Sequence, residues 1–202
     1  MKSLIVFLLL AVFSTLSAQH EDAVLKDIQT RFSMIKDFEA GFIQTTKFLS
    51  VENNVTLTGQ FYYKPGGKYR IELKGQTIVS DGTNVWNFNR KMNRVVINSV
   101  ADEPSSFSFD KFIFDYPKLC KITSSKLNDK VTIFLEPETD DLDFQSAKIW
   151  FDSDNIIEKL EIRDNSDAVY ELSFKNIILN NNIEEKKFSL EPEKGTKIID
   201  LR

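Results

Sequence analysis

The 202-residue chain carries 26 lysines and arginines against 30 aspartates and glutamates, a formal net charge of −4. That mildly acidic, mixed balance has no basic tract and excludes the phosphate-tracking surface that nucleic-acid binding requires. One histidine, His20, and one cysteine, Cys120, exclude Ser-His-Asp and Cys-His catalysis, ordinary zinc sites and an intramolecular disulfide.

The chain opens MKSLIVFLLLAVFSTLSA, with Lys2, an apolar run over residues 4–13, and then small and polar residues. This layout predicts a cleaved secretory signal over residues 1–18 and a single mature domain over residues 19–202. The run is too short for a transmembrane anchor, and no later stretch supplies about 20 unbroken apolar residues, so the mature chain is expected to be soluble. No cysteine stands at the cleavage point to carry a lipid.

From Asp22 onward, Leu25, Ile28, Phe32 and Ile35 follow spacings of three, four and three, which predicts an amphipathic helix whose first turn Asp22 caps. At Phe38 the period changes to two, and Phe38, Ala40 and Phe42 begin a strand. The stretches VTLTGQFYYK and KYRIELK each alternate apolar and polar residues, and Pro65-Gly66-Gly67 joins them as a hairpin. Further strands are expected over 76–79, 84–89, 94–98, 130–135, 145–151, 157–163 and 169–178, separated by turns such as Ser80-Asp81-Gly82. The pattern predicts a large antiparallel sheet in up-and-down order, with helices few enough to serve as covers.

One segment departs from the alternation. DEPSSFSFDKFIFDYPKL, residues 102–119, is dense in aromatics, and Pro104 and Pro117 bracket about three helical turns. It reads as a helical insertion lying on the apolar face of the sheet, either a displaceable plug or a permanent core helix.

The inventory of reactive groups is thin. His20 lies beside the cleavage point, and no G-x-x-x-x-G-K or G-x-G-x-x-G occurs. Glu136, Glu138, Asp140, Asp141, Asp143, Asp152 and Asp154 lack the glycine and distal glutamate of a calcium loop, so they read as solvated turns. A carboxylate pair of the glycosidase kind would have to meet in space, and nothing selects one. Cys120, beside Leu119 and Ile122, reads as a small buried hydrophobe. Binding is therefore expected rather than catalysis, with no cofactor and no metal. In a closed barrel the abundant aromatics would fill the core. In a sheet that stays open they would form a concave pocket able to bury acyl chains at about 0.8 kcal/mol per methylene. Such a pocket needs a cover when empty.

The segments FEAGFIQT, GQFYYKPGGKYRIEL, IVSDGTNVWNFN, WFDSDNIIEKLEIRD and KFSLEPEKGTKI, in this order and over nearly the whole mature chain, resemble the LolA family, periplasmic carriers of outer-membrane lipoproteins. The resemblance implies an incomplete antiparallel β-barrel, a half-barrel covered by short helices, that acts as a monomer in the periplasm of a Gram-negative cell and hydrolyses nothing. The implied partners are acylated lipoprotein cargo, an ABC-type inner-membrane exporter and an outer-membrane acceptor. On this reading Phe61, Tyr63, Tyr69, Ile71, Trp86, Phe88 and Trp150 line the cavity, and Phe109, Phe112 and Phe114 belong to its lid. Relatives place an arginine before the proline to latch the lid. Lys64 stands there in this chain, with three donors on a flexible stem instead of a planar fork, and Arg70 is expected to share the task. Two other readings stay open, a LolA-like carrier of another lipid such as a glycolipid or pigment ester, and a non-enzymatic envelope sensor domain.

Overall fold

Apolar–polar alternation over ten-residue runs yields two long adjacent strands, β1 (Phe38–Lys47) and β2 (Val55–Lys64). They lie in the middle of one sheet in a computed structural model that describes residues 23–48, 54–102 and 108–202. The expected signal segment, His20 and the helix-capping Asp22 fall outside the described residues. Four shorter strands follow: β3 (Lys68–Leu73), β4 (Gln76–Asp81), β5 (Asn84–Asn89) and β6 (Arg94–Ser99). After a helical excursion come β7 (Cys120–Leu127), β8 (Lys130–Pro137), β9 (Phe144–Phe151), β10 (Ile157–Asp164), β11 (Val169–Leu179) and β12 (Lys197–Asp200).

The order across the sheet is β12-β6-β5-β4-β3-β2-β1-β11-β10-β9-β8-β7. Every neighbouring pair is antiparallel except β12 with β6. The end strands β7 and β12 are not neighbours, so the sheet curls without closing, as the resemblance to a half-barrel implies. The up-and-down expectation needs three corrections. The consecutive strands β6 and β7 lie far apart in the sheet, and β1 pairs with β11 instead, which joins two separate meanders. β7 was not expected, because CKITSSKL offers only Cys120 and Ile122 on the apolar side before it turns polar, and its pairing with β8 holds it in the sheet. β12 is parallel, because the chain crosses the back of the sheet before it returns to the edge.

A helix over residues 23–33, α1, lays Ile28 and Phe32 on the concave face, and Ile35 just beyond its end joins the same buried cluster. The expected periodicity is thus realised. Two glycines fix the strand approach. A Cβ at Gly59 would collide with the Glu72 carbonyl oxygen and stand 2.9 Å from the Phe42 ring, so β2 and β3 come this close only with glycine there. Gly82, at φ +92°, turns β4 into β5 directly against the Gly66 carbonyl, and Ser80 Oγ donates to the Gly67 carbonyl at 2.9 Å. The two hairpin turns are therefore one packed unit.

After β11 the buried Asp37 carboxylate accepts hydrogen bonds from the Asn181 N–H at 2.7 Å and the Ile183 N–H at 3.2 Å. This turns the chain onto the convex side. There it forms a strap with Phe188 buried, Glu185 2.8 Å from both Lys64 and Lys68, and Lys187 3.2 Å from Glu72. Val79, Val95 and Ile97 are buried on that side in a small apolar layer separate from the main core.

Candidate functional site

Strand register decides which side chains share the concave face, because directly opposed residues point the same way. Phe61, Ile71 and Ile78 form one row across β2, β3 and β4. Leu57, Gln44, Leu172 and Leu160 form another across β2, β1, β11 and β10. Between these rows and the helical segment lies a cavity of about 600 Å³, within the roughly 300–1,000 Å³ range of small-molecule sites. Phe112 and Tyr116 supply its helical wall, Phe42, Phe144 and Phe174 deepen its floor, and Gln76, Asp143, Asp164 and Tyr170 are among its polar boundaries.

The segment expected as a plug is a compact helical run. Phe109 and Asp110 begin it, a π-helical turn spans Lys111–Asp115, and a 3-10 turn spans Tyr116–Lys118. Pro117 has no N–H to continue an α-helical ladder, so the segment stays short. Phe109 is 0 % exposed. Its ring centre is 5.1 Å from that of Phe61, 5.3 Å from Phe38, 5.4 Å from Tyr63 and 5.4 Å from Phe174, all near edge-to-face. Phe112 packs against Tyr116 and Phe144 at the cavity wall, and Phe114 is half-buried against Phe32.

Hydrogen bonds from α1 and from β2 and its turn hold this segment down. Gln29 Nε2 of α1 donates to the Ile113 carbonyl at 2.8 Å. The Asp110 carboxylate accepts from Tyr63 Oη at 2.6 Å and from the Gly67 N–H at 3.1 Å. Burial, then the hydrogen bond and charge of Asp110, push the Tyr63 phenol far above its ordinary range, so it remains a donor.

These contacts revise the expected latch. Lys64 and Arg70 do not reach the helical segment. Alternation places both on the convex face, where Lys64 pairs with Glu185, and Arg70 pairs with Glu72 at 2.7 Å and donates to the Lys187 carbonyl at 3.3 Å. From β2 and its turn, the residues that do reach it are Tyr63, one position earlier and on the other face, and the Gly67 amide. Asp110 was not singled out in sequence, where it is one of several carboxylates in residues 102–119.

Register also divides the expected lining. Phe61 and Ile71 line the cavity, and Phe112 joins them. Tyr63 and Tyr69 share their face but are buried in the packed core that includes Phe109. Trp86 and Phe88 point away, because they oppose the convex-face Val79 and Thr77 on β4. Trp150 also faces out, with the ammonium groups of Lys148 and Lys159 at 4.9 and 4.6 Å from its ring. Aromatic content alone does not fix a strand's parity, and parity is what removes these three from the cavity.

Asp152 accepts from the Asp154 and Ile156 N–H groups, a turn-capping role. Burial, then the charge of Glu138, push the Cys120 thiol up to about 11, leaving it protonated at neutral pH. Among the described residues no cluster of histidine, cysteine, aspartate and glutamate could hold a metal, and no helix is long and apolar enough to cross a membrane.

Residues 33–191 match the family model described as "Outer membrane lipoprotein carrier protein LolA". The outer-membrane lipoprotein carrier protein of Francisella tularensis subsp. tularensis is 25% identical over 205 residues, covering 98% of this chain and 97% of that one. The protein of the same name from Chromohalobacter salexigens is 25% identical over 194 residues, covering 91% and 90%. Among solved structures, an uncharacterized conserved protein from Thermus thermophilus superposes with a TM-score of 0.56 at 15% identity, over 89% of this chain and 98% of that one, a likeness of fold.

Proposed function

The chain belongs to the LolA family of outer membrane lipoprotein carrier proteins, and on that premise we propose that it binds the acyl chains of lipoproteins and shuttles them from the inner to the outer membrane. The observation that carries this reading is an apolar cavity of about 600 Å³ whose neighbouring core is stoppered by one side chain, Phe109, on a short segment tied by few polar contacts. Acyl chains gain about 0.8 kcal/mol per buried methylene. A carrier that kept all of that gain could not release its cargo. Expelling the Phe109 ring from the aromatic cluster opposes entry by about 1.5–3 kcal/mol, and breaking the Asp110 hydrogen bonds adds to that. The segment is therefore a lid that competes with cargo and holds net affinity in a releasable range.

The signal-like layout of residues 1–18 supports a periplasmic location, where an ABC-type inner-membrane exporter would deliver cargo and an outer-membrane acceptor would receive it. No step requires catalysis. The test is release from spheroplasts. Purified mature protein should liberate newly made lipoproteins from inner membranes as a one-to-one complex and pass them to outer membranes. Recovery of free lipid with no lipoprotein would favour a carrier of another lipid, and unchanged sorting with altered envelope signalling in depleted cells would favour a sensor domain.

A further inference from the structure

The charged side chains that line the cavity are all of one sign. Asp143 and Asp164 lie in the wall, and among the described residues no lysine, arginine or histidine does. The two aspartates come together through register, since Asp143 immediately precedes Phe144, whose partner across β9 and β10 is Asp164. Asp164 is a fixed charge. Its Oδ1 accepts from the Ser166 N–H at 2.9 Å, the Ser166 hydroxyl at 2.8 Å and the Ala168 N–H at 2.9 Å, all donors of its own turn. Two neighbouring phenols register the carboxylates. The Tyr170 phenol is raised by burial and then by Asp164, and the Tyr116 phenol by burial and then by Asp143 and Asp115.

A negative charge at the edge of an apolar cavity acts at short range on whatever head group enters with the chains. A phosphate or carboxylate head would meet like charge with no cation in the wall. An uncharged acylglyceryl head would meet none of this repulsion. We propose that the cavity selects its ligand by head-group charge, admitting acyl chains on an uncharged glyceryl head and rejecting the same chains on an anionic head. The apolar cavity forms the site, and the aspartates supply the repulsive element of its specificity. The inference rests on the acyl-binding reading above and explains how a carrier moving between membranes would avoid filling with anionic phospholipid.

The experiment is displacement of an uncharged fluorescent acyl probe from the mature protein by dioleoylglycerol and by dioleoylphosphatidylglycerol, both delivered from cyclodextrin. At low salt the neutral lipid should displace the probe at about tenfold lower concentration, equivalent to about 1.4 kcal/mol. The gap should shrink in 1 M salt and in Asp143→Asn, whose side chain is exposed and whose loss leaves the Asp164 turn intact. Equal displacement by the two lipids, or a gap that neither salt nor Asp143→Asn alters, overturns the inference while leaving acyl binding in place. Failure of the probe and of both lipids to bind overturns the acyl-binding reading and the inference with it.

Discussion

Tyr63 and Lys64 are consecutive, yet they serve opposite faces of β2. Tyr63 donates to Asp110 of the helical segment, and Lys64 holds Glu185 of the strap. Tyr63→Phe keeps the ring contacts but deletes a charge-assisted hydrogen bond, which should destabilise the empty protein by about 1.5–3 kcal/mol in urea unfolding. The same change weakens the closed form with which acyl chains compete, so an acyl probe should bind about tenfold more tightly. Lys64→Met should leave probe affinity unchanged, and a large gain in that variant would restore the lysine to the latch. Phe109→Ala removes the fully buried stopper, with an expected stability loss of about 3–5 kcal/mol. That variant should also take up acyl probe faster than the parent, as stopped-flow fluorescence would measure.

At the scale of elements, the β2–β3 turn is clamped from both sides, since Gly67 donates to Asp110 of the helical segment and Lys64 and Lys68 flank the turn with their pairing to Glu185. Glu185 is held down to about 2, first by hydrogen bonding to Lys64 and then to Lys68. Burial opposes ionisation of Glu72, but hydrogen bonds from Arg70 and Lys187 outweigh it, and its pKa too is lowered. Carboxylates depressed on folding stabilise above their ordinary value of 4.5, and that contribution is lost as pH falls through the folded value. Amide protection across the strap at residues 185–188 should therefore stay level from pH 7 to about 5 and fall between 4.5 and about 2. A flat profile through that window would mean that Phe188 burial alone holds the strap. Gly59→Ala should destabilise by about 1–3 kcal/mol through overpacking against Phe42 and the Glu72 carbonyl, read as a lowered melting temperature.

Much of this element structure was legible, because the two-residue period of β1 to β3 and the three-four-three spacing of α1 are local signals of burial on one side. The cavity was legible only in part. Phe61 and Ile71 stand on the expected face, but Trp86, Phe88 and Trp150 take the opposite parity and face the convex side, where lysines flank Trp150. Asp110 was illegible for a related reason, since its partner Tyr63 lies 47 residues away and the pairing exists only once the sheet has curled.

The whole molecule is an open sheet that buries aromatics on its concave face without closing on itself. Closure would have made the aromatics a permanent core. The open form leaves a cavity beside an aromatic core, with carboxylates at its wall and a helical segment tied to a turn that the strap steadies from behind. The most direct test of the acyl-carrier account is isothermal titration of the mature protein with a diacylated lipopeptide and with the same peptide lacking its acyl chains. The account predicts one-to-one binding of the acylated form alone, strengthened about tenfold in Tyr63→Phe. Equal binding of both peptides, or no binding of the acylated one, would contradict it.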